Sequence, residues 1–315
     1  MRHATNHSRF EGLRQIAAVL TLAAIPGGQR LAAVVDPAAE SVSLYLNVEK
    51  NGNLVTGLAA GNFRLYQDGQ HQPFRLEKPE EPASVALLVE HSASSGYFYD
   101  DIQYAMQGFL KHGIEGHWYA LATYSHTLEV RTDFTKQTGR ITEEYAQLGM
   151  PLSREVDTYD AVYEMLDKLG KLPGRRILVV IGSGFDTFSE RQLDDVKKKV
   201  ESENVTVFVA GLGSLLRGSY SPFLGSTEGL SLMQAQAFLQ MLSGKTGGFA
   251  WFPRMSNAFP DVMQGIMQSI GTQYRLVYET RVRGSGKFHK IKVEAFRVVN
   301  DKRENFKVLV REGWR

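Results

Sequence analysis

The chain has 315 residues, 43% of them hydrophobic and 22% charged, with 36 basic against 34 acidic side chains and no cysteine. That length suggests two domains, or one large domain with an appendage, and a core that needs no staples. A formal charge of +2 excludes a strongly basic nucleic-acid binder and an acidic tail. The missing cysteines exclude disulfide scaffolds, thiolate zinc sites, iron–sulfur clusters and thiol catalysis.

Arg2, Arg9 and Arg14 precede ten uncharged residues, Ile16–Ile25, followed by Pro26-Gly27-Gly28 and the small residues around Leu31-Ala32-Ala33. A bilayer span needs about 20 apolar residues. A basic head, a short apolar run and small residues downstream read instead as a secretory signal peptide over residues 1–33. The mature chain is therefore expected to be secreted or periplasmic, with no membrane span.

From Ser41 to residue 78 the period is two. Val42, Leu44, Leu46 and Val48 alternate with polar or amphipathic residues, Asn51-Gly52-Asn53 marks a hairpin, and Phe63–Tyr66 is a second strand before the turn Asp68-Gly69. A third strand is expected around Pro73–Leu76, and Pro79 to Pro82 reads as a linker. Over 84–272 the rhythm becomes strand–helix–strand. Val85–Val89, Ile177–Ile181 and Val205–Ala210 are continuous apolar runs, as expected of central strands covered on both faces. Tyr119–Tyr124 is another strand, with Leu128–Val130 antiparallel beside it. Helices are expected over Phe98–Lys111, Ile141–Leu148, Tyr159–Leu169, Glu190–Glu201, Leu232–Leu242 and Phe259–Ile270. A Gly- and Ser-rich loop spans 214–231, and a short strand lies at Phe249–Phe252. Over 273–315 three alternating strands return: Tyr274–Glu279, His289–Phe296 and Asn305–Val310. The expected fold class is α/β, with a doubly wound, mostly parallel sheet. A small β unit would form by pairing of 273–315 with 41–78.

In an open parallel sheet, ligands bind beyond the carboxyl ends of the strands. Three such ends carry hydroxyls and carboxylates: Glu90–Gly96, Asp157–Asp160 and Gly182–Thr187. Oxygen donors without clustered imidazoles suit a hard cation such as Mg²⁺. In the alternative reading, Asp157 and Asp186-Thr187 are helix caps.

Other signals are weaker. Ser243-Gly244-Lys245-Thr246 resembles the end of a phosphate loop, but Leu239 stands where that pattern needs glycine, and Gly244 reads as a helix C-cap. Gly211-Leu212-Gly213 is followed by a loop and reads as a turn. His112 and His117 read as solvated imidazoles, and His91 beside Ser92 is no nucleophile–base pair. Lys197-Lys198-Lys199 reads as the solvated face of a helix. Tyr97, Phe98, Tyr99, Tyr220, Phe223 and Leu224 would form an aromatic rim above the sheet.

These residues together resemble the von Willebrand factor type A family, and within it the bacterial, acidobacterial-type branch. The phrases Gly57-Leu58, Asn62-Phe63-Arg64, Asp68-Gly69, Thr246-Gly247-Gly248-Phe249, Gln273–Leu276 and Lys290–Val293 follow one another in that branch's order. The resemblance covers nearly the whole mature chain. It implies a metal-ion-dependent adhesion site built on Asp-x-Ser-x-Ser, a Thr on a second loop and an Asp on a third. Here Glu90 stands in place of the first Asp, while Ser92 and Ser94 match. The Thr position falls on Val156, or on Thr158 if the loop is two residues shorter. Ser183 replaces the Asp of the third loop, with Asp186 three residues on.

The resemblance thus implies a degenerate metal site in a non-enzymatic interaction or adhesion module without a cofactor. Its partner would be a protein or a cell surface, bound through Ser92, Ser94, Tyr97, Phe98 and Thr158, with Glu90 and Asp186 as polar rim. One alternative keeps Mg²⁺ on Glu90, Ser92, Ser94, Thr158 and Asp186, making adhesion metal-dependent. Another is a nucleotide-binding enzyme with a Rossmann-like pocket, although no complete nucleophile–base–oxyanion set can be read. No nucleic-acid partner is expected.

Overall fold

Asn51 (φ 52°) and Gly52 (φ 82°) both adopt the left-handed backbone that a two-residue hairpin requires. They join β1 (Glu40–Lys50) to β2 (Asn53–Leu54). Asp68 and Gly69 repeat the device between β3 (Phe63–Gln67) and β4 (Gln70–Gln72), and β5 (Arg75–Glu77) follows. The computed structural model describes residues 40–151, 153–212, 226–281 and 286–315, apart from the side chains of Tyr97 and of 226–229. The expected signal peptide, Gly213, the loop aromatics Tyr220 and Phe223, and Leu224 lie outside the described residues.

The strand–helix region runs β6 (Ser84–Glu90), α1 (Tyr99–His112), β7 (Trp118–Tyr124), β8 (Leu128–Thr135), α2 (Thr138–Ala146) and α3 (Thr158–Gly170). It continues with β9 (Arg176–Gly182), α4 (Leu193–Ser202), β10 (Val205–Gly211), α5 (Ser226–Thr246), β11 (Ala250–Trp251) and α6 (Phe259–Gly271). Its six strands lie in the order β11-β10-β9-β6-β7-β8, all parallel except the edge strand β8. Alternate residues of the central strands serve different faces. Val85, Leu87 and Val89 join α1, α2 and α6 in one core, while Ala86 and Leu88 join α3, α4 and α5 in the other. Both faces are covered, which is why these strands read as unbroken apolar runs. No helix among the described residues is long and apolar enough to cross a membrane.

The chain ends with β12 (Tyr274–Thr280), β13 (His289–Val299), β14 (Lys302–Val310) and β15 (Gly313–Trp314). With β1–β5 they form a nine-stranded antiparallel sheet in the order β4-β3-β13-β14-β1-β12-β5, with β2 beside β1 and β15 beside β13. This sheet has more strands than the parallel one, so the unit is not small. It curls into a half-barrel over its own core of Leu44, Leu46, Phe63, Leu65, Tyr278 and Trp314. Across the curl, Thr280 Oγ1 and Gln67 Oε1 are 3.0 Å apart.

The two sheets meet through buried polar side chains. Asn47 Nδ2 donates to the Ser269 carbonyl (2.9 Å), so β1 is buried on the face that alternation alone assigns to solvent. Arg311 donates to the carbonyls of Glu203, Glu201 and Val200 at the end of α4 and stacks on Trp314. Arg175 donates to the Ile270 carbonyl and approaches His117, which is buried rather than solvated. Helix α5 runs through Gly244, and the left-handed residue that follows it is Gly247 (φ 84°), so Gly244 is no C-cap. Lys199 departs from the solvated-face reading by pairing with Asp167 and Glu203.

Candidate functional site

Strand order reverses at β6: the chain goes first to β7 on one side and later crosses to β9 on the other. The crevice outside the carboxyl ends of β6 and β9 is where such a sheet places a ligand. Glu90 ends β6 there, fully buried, and its Oε2 accepts from the backbone N–H and the Oγ of Ser183, both at 2.7 Å. Ser183 Oγ accepts in turn from Phe185 N (3.2 Å). Burial pushes the Glu90 carboxyl above its usual range, and the two Ser183 bonds work against that shift. Gly182 leaves room for Tyr124: a Cβ at that glycine would lie 2.3 Å from the Tyr124 hydroxyl. That hydroxyl is buried beside Glu90 and Thr158 without hydrogen-bond geometry to either. Burial, then the nearby Glu90 charge, pushes Tyr124 well above an ordinary tyrosine.

The surrounding oxygens are committed to the protein. Ser92 Oγ accepts from Ser95 N (3.1 Å), and Ser95 Oγ accepts from Ser92 N (3.0 Å), a reciprocal cap on the short 3₁₀ turn Ala93–Phe98. Ser94 Oγ donates to the Arg154 carbonyl (2.9 Å), and Thr158 Oγ1 donates to that of Phe185. Asp186 Oδ1 accepts from Tyr159 N (2.9 Å) and Ser189 Oγ (2.6 Å), capping α3 from the neighbouring loop. Burial raises the Asp186 carboxyl, opposed by those two bonds.

Asp157 is not the side-chain cap of α3. Its Oδ1 accepts from Thr187 Oγ1 and Phe188 N, and its Oδ2 pairs with His126 Nδ1 at 2.8 Å. That hydrogen bond, with the charges of Asp157 and Glu155, raises the exposed His126 imidazole above its usual range. Asp160 accepts from Glu190 N and Arg191 N. Three carboxylates therefore stitch the loop before α3 to the loop after β9. Among the described residues, no three His, Asp or Glu side chains gather as metal ligands.

The expected contact residues fare unevenly. Ser92, Thr158 and Glu90 are brought together at the switch point, but all are buried, so they cannot touch a partner as they stand. Phe98 is also buried, packed with Ile102 and Met106, because the 3₁₀ turn directs it inward. Ser94 is half-buried, and the Tyr97 side chain lies outside the description. The exposed apolar side chains at this edge are others: Tyr99, one of the expected rim aromatics, and Met150. Tyr99 is 60% exposed and Met150 91%. With Ile102, Tyr145, Leu148 and Pro151 they line a groove of about 280 Å³ beside Ser92. The apolar run Leu148-Gly149-Met150-Pro151-Leu152 between two polar stretches is the sequence signal for this groove.

No protein-family model matches the chain, and no curated protein does. Among solved structures, an aerotolerance-related membrane protein from Bacteroides fragilis, with multiple mutations to serines, is similar at 14% identity. That match has a TM-score of 0.43 and covers 59% of this chain and 98% of that one. The BatB protein of Bacteroides thetaiotaomicron is similar at 13% identity and TM-score 0.45, over 60% of this chain and 99% of that one. The ArnB paralog VWA2 from Sulfolobus acidocaldarius is similar at 12% identity and TM-score 0.43, over 87% and 76%. Likeness of this degree says nothing about what this chain does.

Proposed function

We propose that the chain is an exported, non-enzymatic interaction module of von Willebrand A-like architecture. Its groove at the carboxyl edge of the parallel sheet would engage a protein or cell-surface partner without a metal ion. The observation that carries this reading is the commitment of the edge oxygens. Ser183 engages Glu90, Ser95 engages Ser92, and Ser94, Thr158 and Asp186 each hold backbone groups of neighbouring loops. Ser92, Glu90 and Asp186 already accept protein donors with which a cation would compete, whereas the groove with exposed Tyr99 and Met150 is open beside them. Exposed aromatic and methionine side chains are the residue types enriched at interfaces. The N-terminal sequence and the resemblance support export.

The test is capture of extracytoplasmic proteins on the immobilised chain, with and without chelator, beside a Tyr99→Ala/Met150→Asp variant. The expected result is a partner retained in both chelator arms and lost by the variant. A partner released by chelator would favour the Mg²⁺-dependent alternative. A partner held equally by the variant would place the contact elsewhere.

A further inference from the structure

Away from this edge, a cleft of about 590 Å³ lies between the antiparallel sheet and the far margin of the parallel sheet. Ligand pockets favour such junctions, and this volume is within their usual range of about 300–1,000 Å³. Its floor is Trp251, on the outermost parallel strand. The indole lies against the backbone of α6 at Gly265, where a Cβ would come within 2.2 Å of its Cη2. Phe249 packs on it at 4.3 Å between centroids, and Phe208 packs on Phe249 at 5.0 Å. The indole is thus anchored to the core, while the residue as a whole is 40% exposed and lines the cleft. A large aromatic held rigid and left open is a stacking platform.

The rest of the lining selects the ligand class. Asn53, Gln268 and Thr56 supply amides and a hydroxyl, while the Thr272 hydroxyl donates to the Gln268 carbonyl. Among the described residues the lining has one cation, Lys307, and it pairs with Glu49 at 3.2 Å. An anionic ligand such as a nucleotide therefore meets no surplus positive charge. An extended peptide would have to pair with β11, whose two residues are too short for a useful ladder. What suits an apolar ring face fringed by neutral donors and acceptors is a pyranose, with a C–H face and peripheral hydroxyls. We propose that this cleft binds a neutral hexopyranose oligosaccharide, stacked on Trp251 and hydrogen-bonded by Gln268 and Asn53.

The test titrates the full chain with cellohexaose, hexa-N-acetylchitohexaose and isomaltohexaose, read by saturation-transfer NMR and by calorimetry. At least one should bind saturably with Kd near about 1 mM or tighter. Trp251→Ala should weaken it at least about tenfold. Gln268 is exposed, so Gln268→Ala removes an amide without touching the core, and it should weaken binding about threefold or more. Trp118→Phe should leave binding unchanged. No saturable binding of any of the three up to about 20 mM overturns the proposal. So does equal binding by Trp251→Ala and Gln268→Ala, or a mixed-sequence octapeptide that occupies the cleft where no saccharide does.

Discussion

Ser183→Ala isolates the bond that closes the switch point. It deletes the hydroxyl that donates to Glu90 Oε2 at 2.7 Å, leaving the Ser183 N–H as donor, and it removes the acceptor for Phe185 N. The cavity created is one oxygen wide, so the cost is the lost bond. A bond between neutral groups is worth about 1 kcal/mol and one to a charged group about 1.5–3 kcal/mol. Which applies depends on the charge of Glu90, whose carboxyl is raised by burial above the 4.5 of a free glutamate and lowered by Ser183. Removing the hydroxyl raises it further. A raised carboxyl binds its proton more tightly folded than unfolded. Its folded state is therefore favoured in acid and loses that advantage as pH climbs from the unfolded value through the folded one. The variant climbs further, so its deficit should grow with pH. Urea denaturation should give a deficit of about 1 kcal/mol at acid pH, rising toward about 3 kcal/mol once the pH passes the raised folded value of Glu90. A deficit independent of pH, or larger in acid, would refute the assignment of Glu90 as a buried carboxyl held by Ser183.

Other outcomes follow from the same geometry. Addition of about 10 mM Mg²⁺ should leave Tm within about 1 °C; a cation bound at 100 times Kd would add about 2.7 kcal/mol and several degrees, and such a shift would overturn the metal-independent reading. An NMR titration of His126 should show a midpoint above the ordinary 6.5, returning toward it in Asp157→Asn. The stability that His126 contributes should be present below 6.5 and fade as pH rises through the raised value, so a contribution growing with pH would contradict the pairing. Arg311→Ala should cost about 1–3 kcal/mol in urea denaturation, because it removes the donor to the Val200 and Glu203 carbonyls at the end of α4.

The parallel sheet was legible because Val85–Val89, Ile177–Ile181 and Val205–Ala210 are apolar on both faces, a pattern few other arrangements produce. The six helices and the antiparallel β8 could be read from local patterns of another kind, not from unbroken apolar runs. What escaped depends on contacts between residues distant in sequence. β15 is two residues, ordered by pairing with β13 and by the bond from Trp314 Nε1 to the Tyr278 hydroxyl. Helix α5 outlasts Gly244 because Thr246 Oγ1 accepts from Val207 N in the next layer. At the site, Phe98 and Tyr99 look interchangeable in sequence, and the reciprocal Ser92–Ser95 cap sets which one faces inward. His117 is buried by Arg175, a partner 58 positions away.

The two departures from the metal pattern at Glu90 and Ser183 are one arrangement in space. Glutamate carries one methylene more than aspartate, and here that length places its Oε2 2.7 Å from the Ser183 hydroxyl. An aspartate at 90 would stop short of that bond. An aspartate at 183 would set a second carboxylate against Glu90 in a fully buried place, where two like charges cannot both ionise. Each residue therefore suits the other and neither suits the pattern in isolation. The chain keeps the topology that opens a crevice at the switch point, then fills it with its own hydrogen bonds. The exposed apolar area lies beside the crevice, along Tyr99 and Met150, and it is this area that the proposed function assigns to recognition.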